Sequence, residues 1–191
     1  MNRLKVILTA VIVLILASQA SAFDGKRKGV VLGLGLGFSP WVHGSLDDPE
    51  EESAQGGFAG NVIAGYALSE KDVVLVVHDG VFYTETIYRE ALDGSLSKTR
   101  DTDYQGFRGI GYRRYMDPAG RSLFVTAALG EQRASKEETG FISGFGLLVG
   151  GGIEFTKHLE FYASYAAGTA SHDAHDYTFS QFMLSFTGVI Y

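Results

Sequence analysis

The sequence predicts an all-β protein, an eight-stranded antiparallel up-and-down transmembrane β-barrel. Large apolar residues alternate with small residues in eight segments of the chain. The connections between these segments alternate between short turns and long polar stretches. Glycine is frequent, with 25 residues of 191, and cysteine is absent. The absence of cysteine excludes a disulfide scaffold, thiolate metal sites and cysteine catalysis.

The first 22 residues have the pattern of a cleavable secretory signal peptide. Arg3 and Lys5 precede an apolar stretch, and Ala20 and Ala22 form a small-residue cleavage site. These features define a signal peptide, and the apolar stretch is shorter than the roughly 20 residues that a spanning helix needs. We therefore predict export of the chain, with the barrel domain covering residues 23–191.

The first segment after the signal peptide shows the period of a strand most clearly. Large apolar residues occupy every second position of 30–39, and the positions between them are mostly glycine. A β-strand imposes this period because successive side chains point to opposite faces. Of the later segments, 73–83 is too uniformly apolar for its faces to be assigned. The other six alternate like the first: 58–68, 104–115, 123–130, 141–155, 159–168 and 177–191.

The lengths of the connections predict which end of the barrel holds the termini. Transmembrane barrels of this type have short periplasmic turns and longer extracellular loops. We therefore expect both chain termini at the periplasmic end. The short links are 69–72, 117–120 and 156–158, and the long polar stretches are 40–57, 84–103, 131–140 and 169–176.

The position of bulky residues decides between a membrane barrel and a soluble barrel of the lipocalin or avidin kind. A soluble barrel needs large apolar side chains in its interior, whereas here the face opposite the large apolar residues carries mainly glycine, alanine, serine and a few charges. We therefore predict bulky side chains against lipid and small residues around the central axis. Aromatic residues near the segment ends are expected to form interfacial girdles: Phe38, Trp41, Phe82, Tyr83, Tyr104, Tyr115, Phe141, Phe155, Tyr177 and Tyr191.

The chain resembles the small outer-membrane β-barrel proteins typified by OmpX and the transmembrane domain of OmpA. The resemblance covers 23–191 and depends on the strand architecture and on the phrases GFRGIGYRRY (106–115) and VGGGIEFTKHLEFYASY (149–165). It implies an outer-membrane location. Such barrels usually end in an aromatic assembly signal, as this chain does with Tyr191, but the large apolar residues of its last segment are out of phase with that residue. A β-bulge near Gly188 would restore the phase.

A polar network is predicted inside the barrel, near the short turns. Glu154 and Glu160 flank the third short link on the glycine-rich face, and Arg113 lies on the same face of its own segment. An eight-stranded barrel is just wide enough for side chains to fill it, and buried charges are costly unless they are paired. We therefore predict that Arg113 pairs with one or both glutamates, that Asn61 and Gln181 extend the network, and that the network closes the lumen.

One charge breaks the pattern of the apolar face. Because side chains two residues apart share a face of a strand, Arg108 lies on the same face as Ile110. We expect either a shift of register in this segment or a position near the outer interface, where the side chain snorkels to water.

Two polar stretches are candidates for loop chemistry. Residues 47–52 carry five acidic side chains, whose plainest interpretation is a solvated loop. The stretch SHDAHD (171–176) holds two histidines three residues apart with flanking aspartates, an arrangement that ligates metals or supplies a general base with its orienting acid. A loop holds such groups loosely, so the first interpretation is ordinary loop residues and a metal or catalytic site is the alternative. The candidates are His172, Asp173, His175 and Asp176.

The sequence predicts location and shape and leaves several functions open. A formal net charge of −6 argues against a nucleic-acid partner, and no cofactor is expected. The first hypothesis is a non-enzymatic outer-membrane barrel with a structural role in the envelope or an interaction role at the surface. Its expected partners are outer-membrane lipids and lipopolysaccharide, with periplasmic chaperones and the barrel-assembly machinery during biogenesis. The alternatives are a lipid A-modifying hydrolase and a narrow, porin-like conduit for small hydrophobic molecules.

Overall fold

The computed structural model describes residues 27–46, 53–90, 96–118, 120–136, 140–172 and 175–191. They form a closed barrel in which each strand pairs with its neighbours in chain order and the first strand pairs with the last. All pairs are antiparallel, so the predicted eight-stranded up-and-down topology is confirmed. The strands are β1 (Gly29–Leu46), β2 (Ser53–Ala67), β3 (Asp72–Glu90), β4 (Leu96–Tyr115), β5 (Leu123–Lys136), β6 (Gly140–Thr156), β7 (Leu159–His172) and β8 (His175–Ile190).

The two ends of the barrel differ. Short links join β2 to β3, β4 to β5 and β6 to β7 at one end, which also holds the start of β1 and the end of β8. We call this the turn end and the opposite end the loop end. The predicted signal peptide, 1–22, lies outside the described residues. Within the described ranges, no helix has the length and apolar character needed to span a membrane.

Several strands extend further towards the loop end than the apolar alternation predicts. The ladder between β3 and β4 continues to the pair Glu90↔Leu96, whereas β2 leaves β3 at Tyr83 and β5 leaves β4 at Tyr104. Residues 84–90 and 96–102 therefore form a two-stranded extension, the β3–β4 hairpin. The sequence predicted a loop here because backbone pairing needs no apolar side chain and leaves no alternating pattern.

The large apolar residues face outwards in the strands whose faces the sequence assigned. Leu34, Ile110, Leu129, Phe145 and Phe186 are each more than half exposed, on five different strands. A soluble monomer rarely exposes contiguous apolar surface of this extent. A barrel wall that contacts hydrocarbon has this distribution of side chains.

The interior is bulkier than the sequence predicted. The sequence predicted small residues and a polar network around the axis, and it missed the rings of some strands, which occupy the space that glycines of neighbouring strands leave. A Cβ atom at Gly150 would lie 2.8 Å from the Tyr162 ring, and one at Gly152 would lie 2.7 Å from the Phe124 ring. The inward face of β3 is also apolar except for Asp79. The large buried apolar and aromatic residues include Val73, Leu75, Val77, Val81, Phe107, Phe124, Leu148, Tyr162, Phe179 and Met183.

The predicted aromatic girdles form only in part. Phe38, Trp41, Phe82, Phe141 and Phe155 lie on the outer wall, and Tyr104 is half-buried there. The prediction is wrong for four tyrosines that point into the lumen, because position near a strand end does not decide which face a side chain takes. These inward residues are Tyr83, Tyr115, Tyr177 and Tyr191.

The C-terminal strand shows no register shift near its end; the shift in its pairing with β1 lies between Phe38 and Trp41. No shift occurs near Gly188 in the pairing of β8 with β7 or with β1. The bulge that would have restored the phase of Tyr191 is therefore not present, and this aromatic is buried inside the turn end.

Candidate functional site

Arg27, just before β1, lies inside the barrel at the turn end. Its side chain is fully buried, and its Nη2 donates to Glu154 Oε2 at 2.5 Å. Its Nη1 donates to the backbone carbonyls of Glu70 at 2.5 Å and Asp117 at 3.2 Å. The guanidinium carbon lies 3.5 Å from the centroid of the Tyr115 ring, a cation–π contact. One side chain thus ties the start of the barrel to two of the three short turns and to β6.

Both oxygens of the Glu154 carboxylate have further donors. The Tyr191 hydroxyl donates to Oε1 at 2.5 Å, and the Gly120 backbone N–H donates to Oε2 at 2.7 Å. Gly120 has a φ of 95°, a conformation that glycine adopts without steric cost. The C-terminal residue and the β4–β5 turn are therefore both anchored on the same buried carboxylate.

A second buried ion pair lies beside the first. Arg113 Nη1 donates to Glu160 Oε2 at 2.7 Å, and Arg113 Nε donates to Thr126 Oγ1 at 2.9 Å. The Tyr115 hydroxyl donates to Glu160 Oε1 at 2.5 Å. The guanidinium carbon of Arg113 lies 4.2 Å from the centroid of the Phe124 ring. This pair is as deeply buried as the first.

The two pairs form one charged plug. Glu154 and Glu160 are direct partners in the β6–β7 ladder, and like charges in that relation destabilise a sheet unless they are compensated. Each glutamate has its own arginine: Arg27 pairs with the first and Arg113 with the second. Arg27 was missed from the sequence because it precedes the first alternating segment.

The middle of the lumen carries a third polar group. Ser164 Oγ donates to Asp79 Oδ2 at 2.6 Å. Asp79 Oδ1, Arg113 Nη2 and the Tyr162 hydroxyl are buried without a hydrogen-bond partner among the described protein atoms. Buried polar atoms of this kind usually bond to ordered water.

Asn61 and Gln181 lie further along the lumen and join other partners. The Thr187 hydroxyl donates to Asn61 Oδ1 at 3.1 Å, and Gln132 Nε2 donates to Gln181 Oε1 at 3.4 Å. The five residues proposed from the sequence therefore occupy successive layers of the lumen, and no hydrogen bond between described side chains links either amide to Arg113.

The SHDAHD stretch lies largely in strands, not in a loop as the sequence predicted. His172 pairs with His175 at the end of the β7–β8 ladder, and Asp176 pairs with Ser171. Asp173 lies outside the described residues, as does the acidic stretch 47–52. No group of three or more His, Cys, Asp or Glu side chains that could hold a metal ion occurs among the side chains that the structure describes.

Two buried carboxylates collect most of the polar contacts at the turn end of the lumen. Glu154 and Glu160 each accept hydrogen bonds from an arginine and from a tyrosine, and hydrogen bonds between charged groups are shorter and stronger than those between neutral groups. Buried rings and amide side chains line the lumen beyond them.

Comparison with solved structures shows the same fold in two bacterial proteins. Ail, the attachment invasion locus protein of Yersinia pestis, solved in complex with the heparin analogue sucrose octasulfate, matches with a TM-score of 0.51 at 11% identity, covering 83% of this chain and 99% of that chain. Neisserial surface protein A matches with a TM-score of 0.51 at 16% identity, covering 85% and 96%. No protein-family model and no curated protein matches this chain. The predicted resemblance to small eight-stranded outer-membrane barrels is confirmed at the level of the fold.

Proposed function

We propose that this protein is a non-enzymatic outer-membrane barrel that has a structural role in the envelope or presents an interaction surface at its loop end. The observation that carries the proposal is the presence of two buried ion pairs at the turn end, between Arg27 and Glu154 and between Arg113 and Glu160. We infer that these charged side chains close the lumen there. Closure argues against the porin-like conduit, because a pathway needs continuous space.

The outer wall supports the proposed location. Exposed leucine, valine and phenylalanine side chains surround the barrel, and closure leaves the strands of the barrel wall no unpaired edge in hydrocarbon. In this proposal residues 1–22 direct export, the turn end faces the periplasm and the loop end faces the medium. Outer-membrane lipids and lipopolysaccharide are then the partners of the wall, with periplasmic chaperones and the barrel-assembly machinery acting before insertion.

The β3–β4 hairpin supports an interaction role. Residues 84–90 and 96–102 pair with each other beyond the point where β2 and β5 end their ladders. Within the described part of the chain, both edges of this hairpin carry unpaired backbone groups, which are able to pair with another extended chain. The hairpin is therefore the proposed contact surface.

Labelling of single cysteines in intact cells tests location and orientation together. The chain has no cysteine, so Ser97→Cys in the β3–β4 hairpin and Lys157→Cys in the β6–β7 turn each create a unique thiol. We expect a membrane-impermeant maleimide to label Ser97→Cys in intact Gram-negative cells and to label Lys157→Cys only after the outer membrane is permeabilised. Labelling of the turn position alone in intact cells would contradict the orientation, and recovery of the chain in the soluble fraction would contradict the location.

Mass spectra of lipid A from the same cells test the absence of enzymatic activity. We expect the acyl pattern to be identical with and without expression of the protein. Loss of an acyl chain that depends on His172 or His175 would contradict the proposal and favour the hydrolase.

A further inference from the structure

A charged cluster lies on the outer wall, away from the lumen plug. Arg108 is exposed on β4, in unshifted register with β3 and β5. Its Nη2 donates to Glu131 Oε2 at 2.9 Å. Arg133 Nη2 donates to the same oxygen at 2.8 Å. We call Arg108, Glu131 and Arg133 the outer-wall cluster.

The cluster has more donors than its single carboxylate uses. Each guanidinium carries five N–H donors, and one carboxylate oxygen holds the two groups side by side. The Arg108 side chain is 52% exposed and the Arg133 side chain is 31% exposed, so both guanidiniums are accessible from outside the barrel. Two positive charges against one negative charge leave the cluster with a net charge of about +1. It therefore offers a fork of donors to a further anion.

The cluster has two polar neighbours, His78 opposite Arg108 and Ser143 opposite Arg133, and apolar side chains on its other sides. Leu129 lies two residues before Glu131 on the same outward face, and Phe145 is the direct partner of Glu131 in the β5–β6 ladder. Both are about 60% exposed. Phe82 and Phe141 lie on the outer wall nearer the loop end. An anion that reaches the cluster must therefore share this surface with hydrocarbon.

We propose that the outer-wall cluster binds the phosphate monoester headgroup of a lipid in the leaflet at the loop end. A phosphate monoester carries up to two negative charges and three acceptor oxygens, enough for both guanidiniums. Arginine forks match phosphate geometry by paired hydrogen bonds. The acyl chains of the lipid lie along Leu129 and Phe145. This inference rests on the proposed function, because it requires the outer wall to face lipid.

Titration with a soluble phospholipid tests the inference. The protein is folded in neutral maltoside micelles and titrated with dihexanoyl phosphatidic acid, with binding followed by calorimetry. We expect saturable binding to one site and an affinity that falls at least about tenfold when Arg108→Gln and Arg133→Gln are combined. Dihexanoyl phosphatidylcholine, whose phosphate is a diester, is expected to show no saturable binding.

Arg114→Gln is the matched control. Arg114 lies on β4 with an exposure of 55% and pairs with Asp72 at 2.9 Å, so it is an exposed, ion-paired arginine without a second guanidinium beside it. Its replacement is expected to leave the affinity unchanged. An equal loss of affinity in Arg114→Gln would show that general surface charge binds the lipid and would overturn the inference.

Heat-dependent electrophoretic migration separates failure of the inference from failure of the proposed function. A parent chain whose migration does not change on heating would show that it forms no stable barrel in detergent, and the proposed function would fail. A heat-modifiable parent and variant with equal affinity for phosphatidic acid would overturn the lipid site alone. Binding of sucrose octasulfate without binding of phosphatidic acid would identify a sulfated sugar as the ligand and would also overturn it.

Discussion

Replacement of Arg113 with alanine is expected to lower the free energy of unfolding by about 3–5 kcal/mol. The substitution leaves the Glu160 carboxylate buried inside the barrel without its cation, with the Tyr115 hydroxyl as its remaining described donor. An uncompensated buried charge is far more costly than the loss of one ordinary hydrogen bond. Urea unfolding of the barrel in phospholipid vesicles, followed by the fluorescence of Trp41, measures the change.

Two variants make this prediction specific. Arg114→Ala removes an exposed arginine from the same strand, and we expect little change because exposed ion pairs are screened by solvent. Arg113→Leu combined with Glu160→Leu removes both buried charges together and is expected to recover most of the stability. If Arg113→Ala is as mild as Arg114→Ala, the buried ion pair does not stabilise the barrel.

Replacement of Leu147 with arginine is expected to destabilise the barrel in vesicles by about 2–4 kcal/mol, the cost of a cation near the middle of a lipid-facing wall. Leu147 is half exposed in the interior of β6 and pairs with the outward Leu129. The matched change is Leu68→Arg at the turn end, where the side chain is 65% exposed. There the expected cost is about 0–1 kcal/mol because the guanidinium reaches the interface. Equal costs at the two leucines, measured by the same urea unfolding, would contradict the prediction. On a lipid-facing wall a cation costs more near the middle of the bilayer than at the interface.

The outer wall of the barrel was predictable from the alternation of large apolar and small residues along the chain. The period of two identifies a strand and also assigns its faces, so the outward positions of Leu34, Leu129 and Phe145 followed directly. The number of strands followed from the turns. The β3–β4 hairpin was not predictable, because its pairing involves backbone groups and leaves no apolar period.

The contacts inside the lumen were harder to predict, because the alternation of residues along a strand gives the face of each side chain and not its partner. This alternation placed Glu154, Glu160 and Arg113 inside the barrel. It gave no sign of Arg27, which lies before the first alternating segment. This residue becomes buried only when the barrel closes and brings the start of β1 beside the short turns. Two glutamates opposite each other in a hairpin require two cations, and that argument would have indicated a second arginine. Tyr191 was assigned to a girdle, although its phase indicated the inward face that the structure shows.

The central claim is that the large apolar side chains of the wall contact acyl chains, and spin labelling of Leu147→Cys in phospholipid vesicles tests it most directly. Collision rates are measured with oxygen, which concentrates in hydrocarbon, and with a water-soluble nickel complex. A label at Leu147 is expected to collide with oxygen and to be protected from nickel, whereas a label on Lys157→Cys in the β6–β7 turn shows the reverse. A label at Leu147 as accessible to nickel as the one at Lys157 would contradict the claim, because the wall would then face water.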